Sequence, residues 1–314
     1  MGYGITIPFD GVPLAEHRSW MEELVELGYT DVWSAEADGT DAFTPLALAS
    51  AWAPTLRLGT AIVPTFTRGP ALMAQSAAAM ADAAPGRFVL GVGTSSDVIV
   101  ERWNGIPFER PYQRTRDMVR FLRSALAGEK MEATYETFSV RGFRLGRPPA
   151  VVPPILVAAL RPGMLHLAGR EGDGAVINWL GAADVPKVVA EVGPGKEIVA
   201  RIFVFPSEDR DMVRLVGRRM VAAYLNVPVY AAFHEWLGRG PLLADMWAAW
   251  KAGDRKAALE AIPDEVVDAL VLNGSASSVR AQVQAYLDAG VTTAALAVIP
   301  VGLDLRQAVR DLAP

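Results

Sequence analysis

The side chains able to do chemistry in this chain are few, and they stand at the ends of short apolar runs. After the run 154–160 the chain reads Ala158-Ala159-Leu160-Arg161-Pro162-Gly163-Met164 and opens a helix. Unpaired N–H groups and the helix dipole favour a phosphate at such a place, and Arg161 is close enough to help. An ordinary turn into a helix would look much the same. At the end of the next run, Asn178-Trp179 sets a side-chain amide beside a large aromatic face, suited to holding a flat ring. Earlier in the chain, Ser34-Ala35-Glu36 puts a carboxylate behind another apolar run. There it would serve either as an acid–base group or as an acceptor for loop amides.

What the chain lacks is equally informative. Its three histidines, His17, His166 and His234, are far apart in helical surroundings, not clustered as a metal-dependent hydrolase requires, and no metal is expected. There is no cysteine, hence no disulfide framework and no thiolate nucleophile. Neither Gly-x-x-x-x-Gly-Lys-Ser/Thr nor Gly-x-Ser-x-Gly occurs, which removes phosphate-loop and nucleophile-elbow enzymes. Gly91-Val92-Gly93 lacks the third glycine of a dinucleotide fingerprint. The net charge of −5 and pI near 5.4 argue against nucleic acid or an anionic membrane as partner. The first residues lack the basic, apolar and small-residue order of a signal peptide. No apolar run approaches the roughly 20 residues of a membrane helix. A cytoplasmic location is expected, where Asn273-Gly274-Ser275 would not serve as a glycosylation acceptor. The expected partners are a small-molecule substrate and a second copy of the chain in a homodimer.

Such residues need a scaffold that carries them to one place. Leu58-Gly59-Thr60-Ala61-Ile62-Val63-Pro64 and Arg87-Phe88-Val89-Leu90-Gly91-Val92-Gly93-Thr94 are apolar runs rich in branched residues and broken by glycine. Between them, residues 70–84 are mostly Ala, Met and Leu, which lose little side-chain freedom in a helix. Strand, helix, strand within roughly 35 residues is a βαβ unit, and its crossover makes the strands parallel. Small residues where the strands end leave room for a ligand, at the end where parallel α/β folds hold their sites.

The same alternation runs through all 314 residues. Strands are expected at 3–8, 30–35, 58–64, 87–94, 154–160, 174–180, 198–205 and 292–299. Helices are expected at 14–27, 43–53, 70–84, 110–126, 163–170 and 279–287. Residues 97–108 read as an irregular loop and 133–145 as an exposed hairpin. From 208 to 269 the pattern is helical and longer than one crossover requires, a candidate lid holding Tyr224, Tyr230, Phe233, Trp236, Trp247 and Trp250. Aromatic faces packing on a barrel would give the same pattern. Eight strands with helices between them indicate an α/β fold, a single (β/α)8 TIM barrel over residues 1–314. Its insertions would fall at about 97–110, 128–150 and 208–269. An open doubly wound sheet, the alternative, usually needs only about five to seven strands.

Four segments in order carry a resemblance. They are Leu58-Gly59-Thr60-Ala61-Ile62-Val63 with Arg68-Gly69-Pro70-Ala71, then Gly86 through Thr94, then Pro154-Ile155 with Ala168 through Gly174, and last Gly274-Ser275 with Ala289-Gly290-Val291-Thr292. Together they resemble the bacterial-luciferase-like superfamily, in its branch that uses coenzyme F420, a deazaflavin. The similarity covers nearly the whole chain. It implies a (β/α)8 barrel with the deazaflavin at its C-terminal mouth and the cofactor phosphate at the strand-five loop, residues Ala158 to Arg161 with Gly163 and Met164. It also implies a non-prolyl cis peptide after the third strand, by position Ala61-Ile62, buttressing the ring. Gly93 and Thr94 fall at the end of strand four, where a threonine lies near that ring, and Asn178 and Trp179 complete the expected cofactor set.

This chain also departs from part of that branch. The sugar-phosphate dehydrogenases have an Asp-His pair where Ala35-Glu36 stands here, and a Glu where Ser96 stands here. Oxidation of a sugar phosphate is therefore poorly supported. The chain is more similar to unassigned, actinobacterial F420-dependent oxidoreductases acting on carbonyls, alcohols or activated double bonds. Hydride movement at a carbonyl carbon needs a proton handled at the adjacent oxygen, and Glu36 is the expected carrier, with Asp97 as fallback. Burial beside the ring would raise its pKa into a useful range. The alternatives on the same fold are an FMN-dependent monooxygenase and a barrel that binds flavin without catalysis.

Overall fold

A computed structural model describes all residues from Met1 to Pro314. Its strands in chain order are β1 (Gly2–Ile7), β2 (Asp31–Ser34), β3 (Arg57–Thr60), β4 (Val63–Pro64), β5 (Phe88–Gly93), β6 (Met131–Thr134), β7 (Ser139–Phe143), β8 (Ile155–Ala158), β9 (Gly174–Asn178), β10 (Glu197–Phe205), β11 (Val271–Asn273) and β12 (Thr293–Val298). Eight of them pair in parallel around a closed ring, β1-β2-β3-β5-β8-β9-β10-β12 and back to β1. This is the expected TIM barrel. The helices α1 (Arg18–Glu26), α2 (Phe43–Trp52), α3 (Pro70–Ala83), α4 (Pro111–Leu126), α5 (Pro162–Glu171) and α6 (Val185–Val192) follow the strands in turn. After β10 come α7 (Arg210–Leu225), α8 (Pro228–Leu237), α9 (Gly240–Lys251), α10 (Arg255–Glu260) and α11 (Asp264–Leu270), then α12 (Ala276–Asp288) and α13 (Leu305–Asp311).

Alternation along each strand separates two cores. Ile5, Val32, Leu58, Leu90, Ile155, Ile177, Ile198 and Leu296 face outward and pack under the helices. Trp33, Val89, Leu156, Val176, Val199 and Ala295 face inward and fill the lumen. Trp33 occupies so much of that space that its neighbour must be glycine: a Cβ on Gly59 would lie 2.1 Å from the indole ring. The lower end of the lumen is closed by charge. Arg57 at the start of β3 donates to both carboxylate oxygens of Glu197 at the start of β10, at 2.6 and 2.7 Å. Asp31 stands 3.5 Å from the same guanidinium. Burial works against the charge of Arg57, but the two carboxylates outweigh it and hold its pKa above the usual arginine value.

Local chemistry sets the helix starts. Pro70, Pro111 and Pro162 each open their helices, where a missing N–H costs nothing, and Asp209, Asp254, Ser275 and Asp304 cap others through their side chains.

Several elements differ from expectation. Strand three is interrupted, because the Ala61-Ile62 peptide is cis and the chain leaves the ladder between β3 and β4. The loop at 97–108 contains a π-helical turn, Val98–Trp103. Helices α6 and α13 lie outside the sequence-based set, as does β11, which continues the sheet beside the last three residues of β10. The stretch 208–269 is helical as read. It packs on Phe203, Phe205, Ala297 and Ile299 at the upper ends of β10 and β12, so it stands over the barrel mouth. No helix is long and apolar enough to cross a membrane.

Candidate active site at the barrel mouth

The mouth is built first from what is missing. Where β3 breaks, the hydroxyl of Thr60 replaces the backbone in the ladder: it accepts from the Gly91 N–H and donates to the Gly91 carbonyl, both at 2.8 Å. The cis segment is then held by the loop after β2, through Ala61 N–H to the Ser34 carbonyl at 2.6 Å and Glu36 N–H to the Ile62 carbonyl at 3.1 Å. A Cβ on Gly93 would lie 2.8 Å from the Ala158 Cβ and 3.1 Å from the Ile62 side chain. Three strand ends therefore converge around a position that only glycine can occupy. Ile62, Gly93 and Ala158, chosen from separate stretches of sequence, form one cradle, and Ala61 and Ile62 rest on the lumen core beneath it. Thr94 follows on its rim and donates to the Ser95 carbonyl at 3.1 Å, with Ser95 itself at φ +61°. A serine in the left-handed region at a strand end marks a backbone held for a purpose other than regular pairing.

Beyond β8, Arg161 is extended and exposed, and α5 begins at Pro162. The first-turn N–H groups of Gly163 and Met164 have no carbonyl beneath them in the helix ladder. Space around Gly163 is open, with nothing within 4 Å of where its Cβ would stand. The expected phosphate loop is thus available through its backbone. Its side chains do not all face the mouth: Ala159 is buried in the outer core, and Leu160 and Met164 pack against that same core.

Two expected site residues have surroundings other than those anticipated. Trp179 presents no open ring face; it is 1% exposed, with ring centroids 4.4 Å from Phe203 and 4.5 Å from Tyr224. Its backbone is left-handed at φ +54°, and the indole is packed between these two rings under the helical cover. Asn178, one residue earlier, stays at the mouth and donates to the Tyr230 hydroxyl at 3.4 Å. Glu36 is engaged as a carboxylate. Arg68 donates to both its oxygens at 2.6 and 2.5 Å, Thr67 adds a bond at 3.2 Å, and the Ala42 N–H reaches it at 3.3 Å. With the two side chains only 15% and 16% exposed, the pair is a clamp between the loops after β2 and β4. A carboxylate so occupied is a poor proton carrier, so the plain alternative of a loop acceptor describes it better. The clamp borders a cavity of about 460 Å³ that also meets Asp41, Ile99 and Asn104.

Residues 1–293 match the sequence pattern of the family described as luciferase-like monooxygenase. The chain belongs to that family. A putative coenzyme F420-dependent oxidoreductase of Mycobacterium tuberculosis is 27% identical, over 100% of this chain and 98% of that protein. A 5,10-methylenetetrahydromethanopterin reductase of Methanolobus tindarius is 26% identical over 99% and 98%. Among solved structures, the coenzyme F420-dependent tetrahydromethanopterin reductase of Methanopyrus kandleri has the same fold. Its TM-score is 0.80, with 19% identity and coverage of 99% of this chain and 97% of that one. The luciferase-like barrel described above is that of an oxidoreductase.

One feature of this luciferase-like mouth escaped sequence reasoning. Arg201 lies in β10 at an inward position, two residues above Val199 of the lumen core and level with Asn178 and Ala295. Its Nε is buried without a partner, and no carboxylate is within salt-bridge distance of it. Burial lowers its pKa, though a guanidinium stays charged. The signal was in the sequence: one charge inside Ile198-Val199-Ala200-Arg201-Ile202-Phe203, a run otherwise apolar throughout. A second group, His234 of α8, is fully buried with both ring nitrogens unpartnered. Burial, helped by the charge of Arg239, pushes its pKa down to about 4.

Proposed function

We propose that this luciferase-like oxidoreductase uses coenzyme F420 and transfers a hydride between the deazaflavin and an organic substrate, a carbonyl or alcohol or an activated double bond. The observation that carries this is the cradle of Ile62, Gly93 and Ala158, where a single added methyl group would collide with both neighbours. Such a surface suits a flat ring pressed against backbone. The mycobacterial relative whose name includes F420 matches nearly end to end, which supports the same cofactor here. When bound, the deazaflavin supplies a two-electron centre that gives or takes hydride.

The protein's own part is positioning and exclusion. Ile62, held by the loop after β2, and the small residues Gly93 and Ala158 offer one face of the mouth without side-chain obstruction. The N–H groups of Gly163 and Met164, with Arg161 beside them, are the donors for the cofactor phosphate. The helices α7–α11 cover much of the β10 side.

The test is Gly163→Trp. Open space around Gly163 lets the indole enter without disturbing the core, so the melting temperature should hold. Affinity for F420, measured by titration, should fall by about 10-fold or more. Unchanged affinity in a folded variant would remove the phosphate from this loop and with it the proposed seating.

A further inference from the structure

Arg201 has hydroxyls rather than carboxylates around it. The hydroxyls near its guanidinium are those of Tyr224, whose oxygen accepts a hydrogen bond from it, and Tyr230, and the exposed Asp10 is the carboxylate whose charge it feels most. Asn178 donates to the Tyr230 oxygen, which leaves the Tyr230 proton free to be given elsewhere. Glu197, four residues down the same strand, is already taken by Arg57. Phe203 lies under the guanidinium at 5.0 Å, which orients the plane without neutralising the charge. A half-buried guanidinium with no carboxylate in reach, its Nε buried without a partner, is well placed to accept an anionic ligand.

We propose that Arg201, Asn178, Tyr224 and Tyr230 form a subsite for a carboxylate on the organic substrate. A carboxylate offers two oxygens in the plane that a guanidinium recognises, and the tyrosine and asparagine donors take its remaining lone pairs. Placement supports the substrate as the source. Around the closed ring β10 stands opposite β3, so Arg201 faces the Ala61-Ile62 segment from across the mouth. A ring seated on that segment leaves its other side toward β10, and a hydride acceptor or donor must lie on that side. The inference rests on the proposed F420 seating for this last step, but the donor cluster itself does not depend on it.

The probes are benzoate and its neutral counterpart benzamide, titrated calorimetrically into the wild type and Arg201→Gln, each with and without F420. The wild type should bind benzoate about 10-fold more tightly than benzamide, and Arg201→Gln should lose that preference while keeping its F420 affinity. Equal binding of the two probes by the wild type, no binding of benzoate, or a preference that survives in Arg201→Gln would overturn the proposal. So would a large loss of F420 affinity in the variant, which would assign the guanidinium to the cofactor. If the wild type binds no F420, the proposed function fails, while the cofactor-free titrations still judge the subsite. Arg201→Met supplies an independent reading: removing a guanidinium that has no carboxylate partner should leave the melting temperature of the cofactor-free protein unchanged or raise it by about 2 °C. A lowered melting temperature would mean that the guanidinium is already satisfied and would contradict the subsite.

Discussion

The two ends of this barrel treat inward-facing charge in opposite ways. At the lower end Arg57 meets Glu197 through two hydrogen bonds with Asp31 beside them, and the strands β3 and β10 are tied across the lumen. At the mouth Arg201, on the same strand as Glu197, has no carboxylate, and its Nε and the Thr6 Oγ1 are buried without partners. One strand thus carries a paired charge where the barrel must hold together and an unpaired one where it must receive something. Stability and function are divided along the barrel axis, as in other TIM barrels.

The largest expected effect breaks the lower end. Glu197→Ala leaves Arg57 with Asp31 alone, 3.5 Å away, and should cost about 3 kcal/mol, read from denaturant midpoints. F420 affinity should not change, because the cradle lies at the other end. A parallel loss of affinity would show that the two ends are not separate.

Acid should sharpen the contrast, with up to about 3 kcal/mol at stake. His234 has a folded pKa near 4 against 6.5 when unfolded, so in that window the unfolded chain takes up the proton first. Its contribution is complete above pH 6.5 and is lost as pH falls toward 4. Asp31 works in the other sense: burial raises its pKa, so its contribution weakens as pH rises above 3.8. Hydrogen exchange at pH 5 should therefore quicken in α8 relative to β3 and β10, and His234→Leu should abolish that change. Uniform acceleration across the barrel would contradict the division.

The smallest effect concerns the clamp. Glu36→Gln leaves Arg68 near Asp41 at 3.8 Å and should loosen the loop after β2, with turnover falling less than about 10-fold. A loss of about 100-fold with F420 affinity intact would instead restore Glu36 as the proton carrier.

Much of the fold was legible because parallel strands buried on both faces read as apolar runs with glycine where they end. The position of the cis bond followed from the resemblance and is where Ala61 meets Ile62. What escaped has specific causes. The three residues of β11 are too short for a periodic signal and follow a helix directly. Arg57 and Glu197 are 140 residues apart, so their pairing exists only once the ring closes. Trp179 is aromatic at a strand end, as a ring-binding residue would be, but Phe203 and Tyr224, distant in sequence, cover its ring. Arg68 has no partner nearby in the sequence, and its claim on Glu36 depends on two loops meeting.

The central claim is that the mouth of this barrel seats a deazaflavin, and competition between cofactors tests it most directly. Cofactor-free protein is titrated with F420, followed by its fluorescence, with FMN present at equal concentration. The expected result is saturable binding of one F420 per chain that FMN does not displace. Preferential binding of FMN, or no saturable binding of F420, would contradict it.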